Sequence, residues 1–138
     1  MDSLAWFAKR RLFSAIHREY DWVFAFDGDA QLVVSCLWRL LESNRIRFTS
    51  EDEGQKFGLP LPVDAAAELN RRIANASVET VILRPHTLDL EMHFSTGHVL
   101  QVIPDSSGYE AWIAYNGNRQ YIADGGGRLS VLDTPAVG

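Results

Sequence analysis

"DWVFAFDGDAQLVVSCLWRL", Asp21 to Leu40, decides how the chain is read. Trp22, Phe24 and Phe26 alternate with Val23, Ala25 and Asp27, the period of a strand with one buried face. Asp27-Gly28 then supplies turn residues, because glycine accepts a positive φ without a Cβ clash. On the return, Leu32, Val34, Cys36, Trp38 and Leu40 share one face. Gln31, Ser35 and Arg39 share the other, with Val33 and Leu37 among them. The stretch therefore predicts a hairpin whose second strand runs unbroken to Leu40.

Period two continues outward from it. "ESN" predicts a second turn, and "RIRFTS" a third strand with Ile46 and Phe48 inward and Arg45 and Arg47 outward. Upstream, residues 2–9 suit a short helix. Residues 12–20 fit a helix or a strand, and the extended segment that follows favours the strand. Downstream, "ETVILR", "TLDLEMHF", "HVLQVI", "YEAWIAY", "RQYIA" and "RLSVL" are strand-like and are separated by "STG", "NGN" and "DGGG". The one well-marked helix lies at residues 64–75. Asp64 suits its N-cap, Glu68 sits four before Arg72, Ala65, Leu69 and Ile73 share a face, and Asn75 can end it. The expected fold is α+β: one domain over residues 1–132, mostly antiparallel meander sheet with one main helix packed on it, and a flexible tail at 133–138.

The totals narrow the class. A chain of 138 residues with 46% hydrophobic and 22% charged content is an ordinary globular domain. The start lacks an apolar signal-peptide core, and no stretch approaches membrane-spanning length, so a cytoplasmic protein with no membrane partner is expected. A net charge of -5 argues against nucleic acid as the partner. Lys9-Arg10-Arg11 and Arg45 with Arg47 read as solvated edges. The single cysteine, Cys36, reads as a small core residue.

Candidate chemistry meets plain alternatives. Asp89, Glu91 and His93 share a strand face, but residues i and i+2 lie about 6.6 Å apart along a strand, and a solvated polar face explains them. His98, after "STG", is expected opposite Phe94 on the apolar face. "DGGG" resembles a backbone phosphate nest, yet no GxxxxGK[ST] or GxGxxG opens a helix there, so a hairpin turn is expected. No GxSxG elbow is present. The paired acids Asp27/Asp29 and Glu51-Asp52-Glu53 stand where turns carry acids. Trp22, Trp38 and Trp112 read as core, and Tyr109 as a rim residue. No catalytic residue, metal ligand or cofactor is expected.

Four pieces taken together, "CLWRL", "SEDEGQKFGLPLPVDAAAELN", "TLDLEMHF" and "SSGYEAW…IADGGGRL", resemble a family of small bacterial proteins similar to the immunity proteins of polymorphic or contact-dependent toxin systems. Trp38-Arg39, Phe57-Gly58 and Gly108-Tyr109-Glu110-x-Trp112 carry the resemblance, which spans Asp21 to Leu132. That pattern often holds a histidine where this chain has Glu53, so no histidine-dependent activity follows from it. The resemblance implies a non-enzymatic domain that binds and neutralises a toxin domain. In "TSEDEGQKFGLPLPVD", Thr49 to Asp64, the prolines and glycines serve the fold, with Phe57 as a core plug. Glu51, Asp52 and Glu53 have no such duty and are expected, with Tyr109 and Glu110, to face a basic protein partner. A small-molecule or metal-binding module, enzymatic or not, is the alternative.

Overall fold

The computed structural model describes residues 4–134. In chain order its strands are β1 (Leu12–His17), β2 (Trp22–Phe26), β3 (Ala30–Val34), β4 (Leu37–Glu42), β5 (Arg45–Thr49), β6 (Val78–Leu83), β7 (Leu90–Phe94), β8 (Val99–Ile103), β9 (Trp112–Asn116), β10 (Arg119–Asp124) and β11 (Arg128–Asp133). Among the described residues the one α-helix, α1, is Ala65–Ile73. Sheet 1 has the order β1-β2-β3-β9-β10-β11 and sheet 2 the order β5-β4-β8-β7-β6, all pairs antiparallel.

This corrects the expected α+β fold. Strands hold 47% and helices 11%, and the hydrophobic faces of two sheets cover each other. Trp38 on β4 is fully buried and meets Trp22 and Phe24 of β2 edge-on, at 5.0 and 5.8 Å between ring centroids. Phe48 of β5 closes on the same ring at 6.0 Å. Period-two alternation shows that a strand has one buried face and is silent on what buries it. A nine-residue helix is too small to do so. Its stripe Ala65, Leu69 and Ile73 is buried as expected, Asp64 accepts from the Ala67 N–H, and the helix lies beside the edge strand β1. There the Asn70 amide acts as a substitute strand: its Nδ2 donates to the Ala15 carbonyl and its Oδ1 accepts from the Ala15 N–H, both at 2.8 Å. The Asn70 amide thereby covers part of an edge that would otherwise be open to another chain.

The hairpin at Trp22–Val34 forms, but the return strand does not run on to Leu40. After Val34 the chain leaves sheet 1, Ser35 bonds to Ala111, and β4 begins at Leu37 in sheet 2. Val34, Cys36 and Trp38 are all buried across the break, because both sheets point inward to one core. The alternation therefore survives a change of sheet that it cannot report. Residues 12–20 split into β1 and a turn at Arg18–Asp21. Ala5–Phe7 form a 3-10 helix, and residues 2 and 3 of the expected short helix lie outside the described residues. Of the expected tail, Asp133 ends β11 and the Thr134 N–H donates to Asn118; residues 135–138 lie outside the described residues.

Three residues stand where the sequence does not put them. Ile46 is exposed, because the β4–β5 register slips between Leu40/Leu41 and turns only Phe48 inward. Arg10, expected on a solvated edge, clamps the β2–β3 turn: its guanidinium donates to the Gly28 and Asp27 carbonyls at 2.7 and 3.2 Å and to the Trp6 carbonyl at 3.0 Å. Phe57 does not plug the core; it is 67% exposed.

Candidate functional site

The strand registers show which connections share an end. His17 opposes Trp22, Trp22 opposes Val34, and Val34 opposes Trp112, one row across sheet 1. In sheet 2, Leu37 opposes Ile103, Leu90 opposes Val102 and Arg39 opposes Thr49. The two-residue link between β3 and β4 sets this row beside the first. One end of the molecule thus carries the β1–β2 turn, the link Ser35–Cys36, the long connection from β5 to α1, the β6–β7 and β8–β9 loops and the glycine turn before β11. The opposite end is closed by the short turns after β2, β4, β7 and β9.

All five expected partner-binding residues fall on loops of the long-loop end, but their environments differ. Glu51 is exposed in the 3-10 helix Ser50–Asp52, and among the described residues its carboxylate has no partner. Asp52 and Glu53 also hold the fold, a duty the sequence did not assign to them. Asp52 Oδ2 accepts from the Thr49 N–H at 2.9 Å and completes a capping box. Glu53 Oε1 accepts from the Ala65 N–H at 3.1 Å, at the start of α1, and its Oε2 meets His17 Nδ1 at 3.1 Å. His17 in turn stacks on Trp22 at 3.9 Å. Glu53 therefore ties the end of β1 to the start of the helix. Tyr109 and Glu110 are exposed, Tyr109 at 82%.

Two features of this end escaped the sequence reading. The first is the strap between Gln55 and Val63. Its ends are pinned by Gly54 N–H to the Val63 carbonyl at 2.9 Å and Val63 N–H to the Gln55 carbonyl at 2.8 Å, with Leu59 N–H to the Lys56 carbonyl between them. It holds Phe57, Leu59 and Leu61 out in solvent at 67, 60 and 77% exposure. Phe57 sits at φ +47, a left-handed backbone that a bulky residue rarely adopts. Leucines alternating with prolines just after Gly58 were the available signal, since such a segment has no strand or helix period with which to face a core. The second is Tyr20, 84% exposed, which lines one groove with Tyr109.

Asp89, Glu91 and His93, weighed above as ligands and read as a solvated polar face, do not converge on one point. Asp89 lies before β7, while Glu91 is held by Gln101 Nε2 at 2.9 Å and His93 Nε2 at 3.3 Å. Among the described residues no group of three or more His, Cys, Asp or Glu side chains gathers. Burial works against ionisation of Glu91, and the Gln101 and His93 bonds outweigh it, leaving its carboxyl below the usual range. His98 directly precedes β8, and its carbonyl accepts from the Phe94 N–H at 2.9 Å, but its ring turns to Glu42 at 3.0 Å and Thr96 at 2.8 Å rather than to the apolar face. Glu42 is held below its usual range chiefly by His98, with Arg72 and Arg47 helping. The Cys36 thiol is buried and pushed up to about 12, chiefly by burial and then by Asp105, which disfavours the thiolate a nucleophile needs.

Fold and site together define a β-rich domain of two antiparallel sheets whose long loops gather at one end. The chain belongs to a family of unknown function (DUF6188), whose model matches residues 4–133. No curated protein and no solved structure matches it. Among the described residues no helix is long and apolar enough to cross a membrane.

Proposed function

We propose that the protein is a non-enzymatic, cytoplasmic protein-binding domain whose contact surface is the long-loop end. One observation carries the reading: the strap holds Phe57, Leu59 and Leu61 in solvent on a pinned backbone, with Phe57 in a left-handed conformation. Exposed apolar surface is a cost to an isolated domain, and a strained residue persists only where its surroundings impose it. Large apolar side chains fixed in this way lose little entropy when a partner covers them. Glu51, without a partner among the described residues, and the net charge of -5 favour a basic partner. Neutralisation of a toxin domain is the specific form of this role, and it rests on the motif resemblance.

The test uses the C-terminal domain of the protein encoded immediately upstream. Co-expression of this chain should restore growth to cells making that domain, and the two should co-purify. Phe57→Asp with Leu61→Asp should weaken the complex by on the order of a hundredfold, with an unchanged melting temperature. Binding undiminished in the double variant overturns the strap as the contact. Binding without growth rescue overturns neutralisation.

A further inference from the structure

We propose that the groove between Tyr20 and Tyr109 is an arginine-binding site, filled by a guanidinium side chain of the protein partner. The inference rests on the protein-binding reading above and names the chemistry of one contact.

The groove, about 570 Å³, is lined by Tyr20, Ser35, Asp105, Ser106, Tyr109 and Glu110 together with Gly108 and Ala111. Two aromatic rings, each more than four-fifths exposed, border it. Neither carboxylate has a cationic partner among the described residues, and no lysine, arginine or histidine lines the wall. The nearest cation in sequence, Arg18, is taken up by Asp21 through two bonds of 2.6 and 2.7 Å. Aromatic faces attract cations, and carboxylates pair with them. A guanidinium suits the combination better than an ammonium, because its plane stacks on a ring while its edge donates to a carboxylate.

The walls are held in place before any ligand arrives. Ser106 Oγ accepts from the N–H groups of Gly108 and Tyr109 at 3.1 and 3.0 Å. The Ser106 carbonyl accepts from Gly126 at 3.3 Å, and Ser35 N–H donates to Ala111 at 2.8 Å. On the far side, Arg18 N–H donates to the Asp21 carbonyl at 2.8 Å and closes the turn that presents Tyr20.

The experiment is a titration of the isotope-labelled protein with N-acetyl-arginine methylamide, followed by amide chemical shifts. Lysine and citrulline analogues serve as comparisons. Saturable shifts confined to Tyr20 and residues 108–110, with dissociation constants on the order of millimolar, are expected for arginine. They should be weaker for lysine and absent for the uncharged citrulline. The pairs Tyr20→Ala with Tyr109→Ala, and Asp105→Asn with Glu110→Gln, should each abolish saturation at an unchanged melting temperature. Phe57→Asp should leave the titration intact, so the groove and the strap are judged separately. No saturable shift, or equal shifts from citrulline, overturns the site; tighter binding of lysine overturns the guanidinium assignment.

Discussion

At Gly127 a Cβ would lie 1.6 Å from the His86 carbonyl oxygen, and the backbone there is at φ +84. At Gly125 it would meet the Gly108 backbone at 2.5 Å. The glycine run thus lets three loops touch backbone to backbone. Gly127→Ala combines overpacking with a disfavoured φ and should cost about 2–4 kcal/mol, read from urea unfolding. A loss under about 0.5 kcal/mol would mean that the loops separate freely. The turn itself was legible in "DGGG", because glycine marks positive φ. Its need for bare backbone was not, because the colliding atoms belong to residues distant in the chain. Burial of Trp22, Trp38 and Trp112 was legible for the converse reason: a large apolar side chain on an alternating face has few other places to go.

Among the elements, the segment from Ser50 to α1 shows how local chemistry and tertiary role part company. The cap at Asp64 was readable, since a helix start needs an acceptor one residue ahead. The second cap, from Glu53 to Ala65, was not, because it comes from outside the helix. The three acids therefore predict unequal outcomes. Glu51→Lys should leave stability within about 0.5 kcal/mol of the parent. Glu53→Lys removes a helix-end acceptor and the His17 contact and should cost about 1–2 kcal/mol. Denaturant midpoints of the two single variants decide this, and equal losses would remove Glu53 from its tying role. The register slips beside Phe13, Arg47 and Glu79 were equally illegible: each inserts one residue and reverses the face of its neighbours, which composition does not mark.

For the whole molecule, the acid limit of stability follows from three carboxylates, Glu42, Glu91 and Asp133, the last held below its usual range chiefly by Arg119. Glu42 and Glu91 both titrate below the usual 4.5, Glu42 chiefly through His98, Glu91 through Gln101 and His93 against burial. A group whose pKa is depressed on folding contributes stability above its unfolded value and loses it as pH falls through the folded value. Stability should hold from neutral pH to about pH 5 and decline below about 4.5. Glu42→Gln should lower stability at neutral pH and flatten the acid decline, measured as melting temperature against pH. An unaltered acid profile in that variant would assign the decline elsewhere. Strands and turns were mostly legible at this scale and the two-layer architecture was not, because pairing partners such as β3 and β9 are set by packing across the whole chain. Of the candidate site, the loops were found, while the exposed strap and the Tyr20–Tyr109 pair required coordinates.

The order of strands in sheet 1 has one more consequence, for biosynthesis. Sheet 2 comes from one continuous piece of chain, β4 to β8, whereas sheet 1 takes β1–β3 from before that piece and β9–β11 from after it. A chain leaving the ribosome can close sheet 2 while β3 still waits for β9, its hydrogen-bonding edge bare and its inner face only partly covered. Premature stops in the β8–β9 loop would release that half-finished layer, a sticky fragment rather than a shorter working protein.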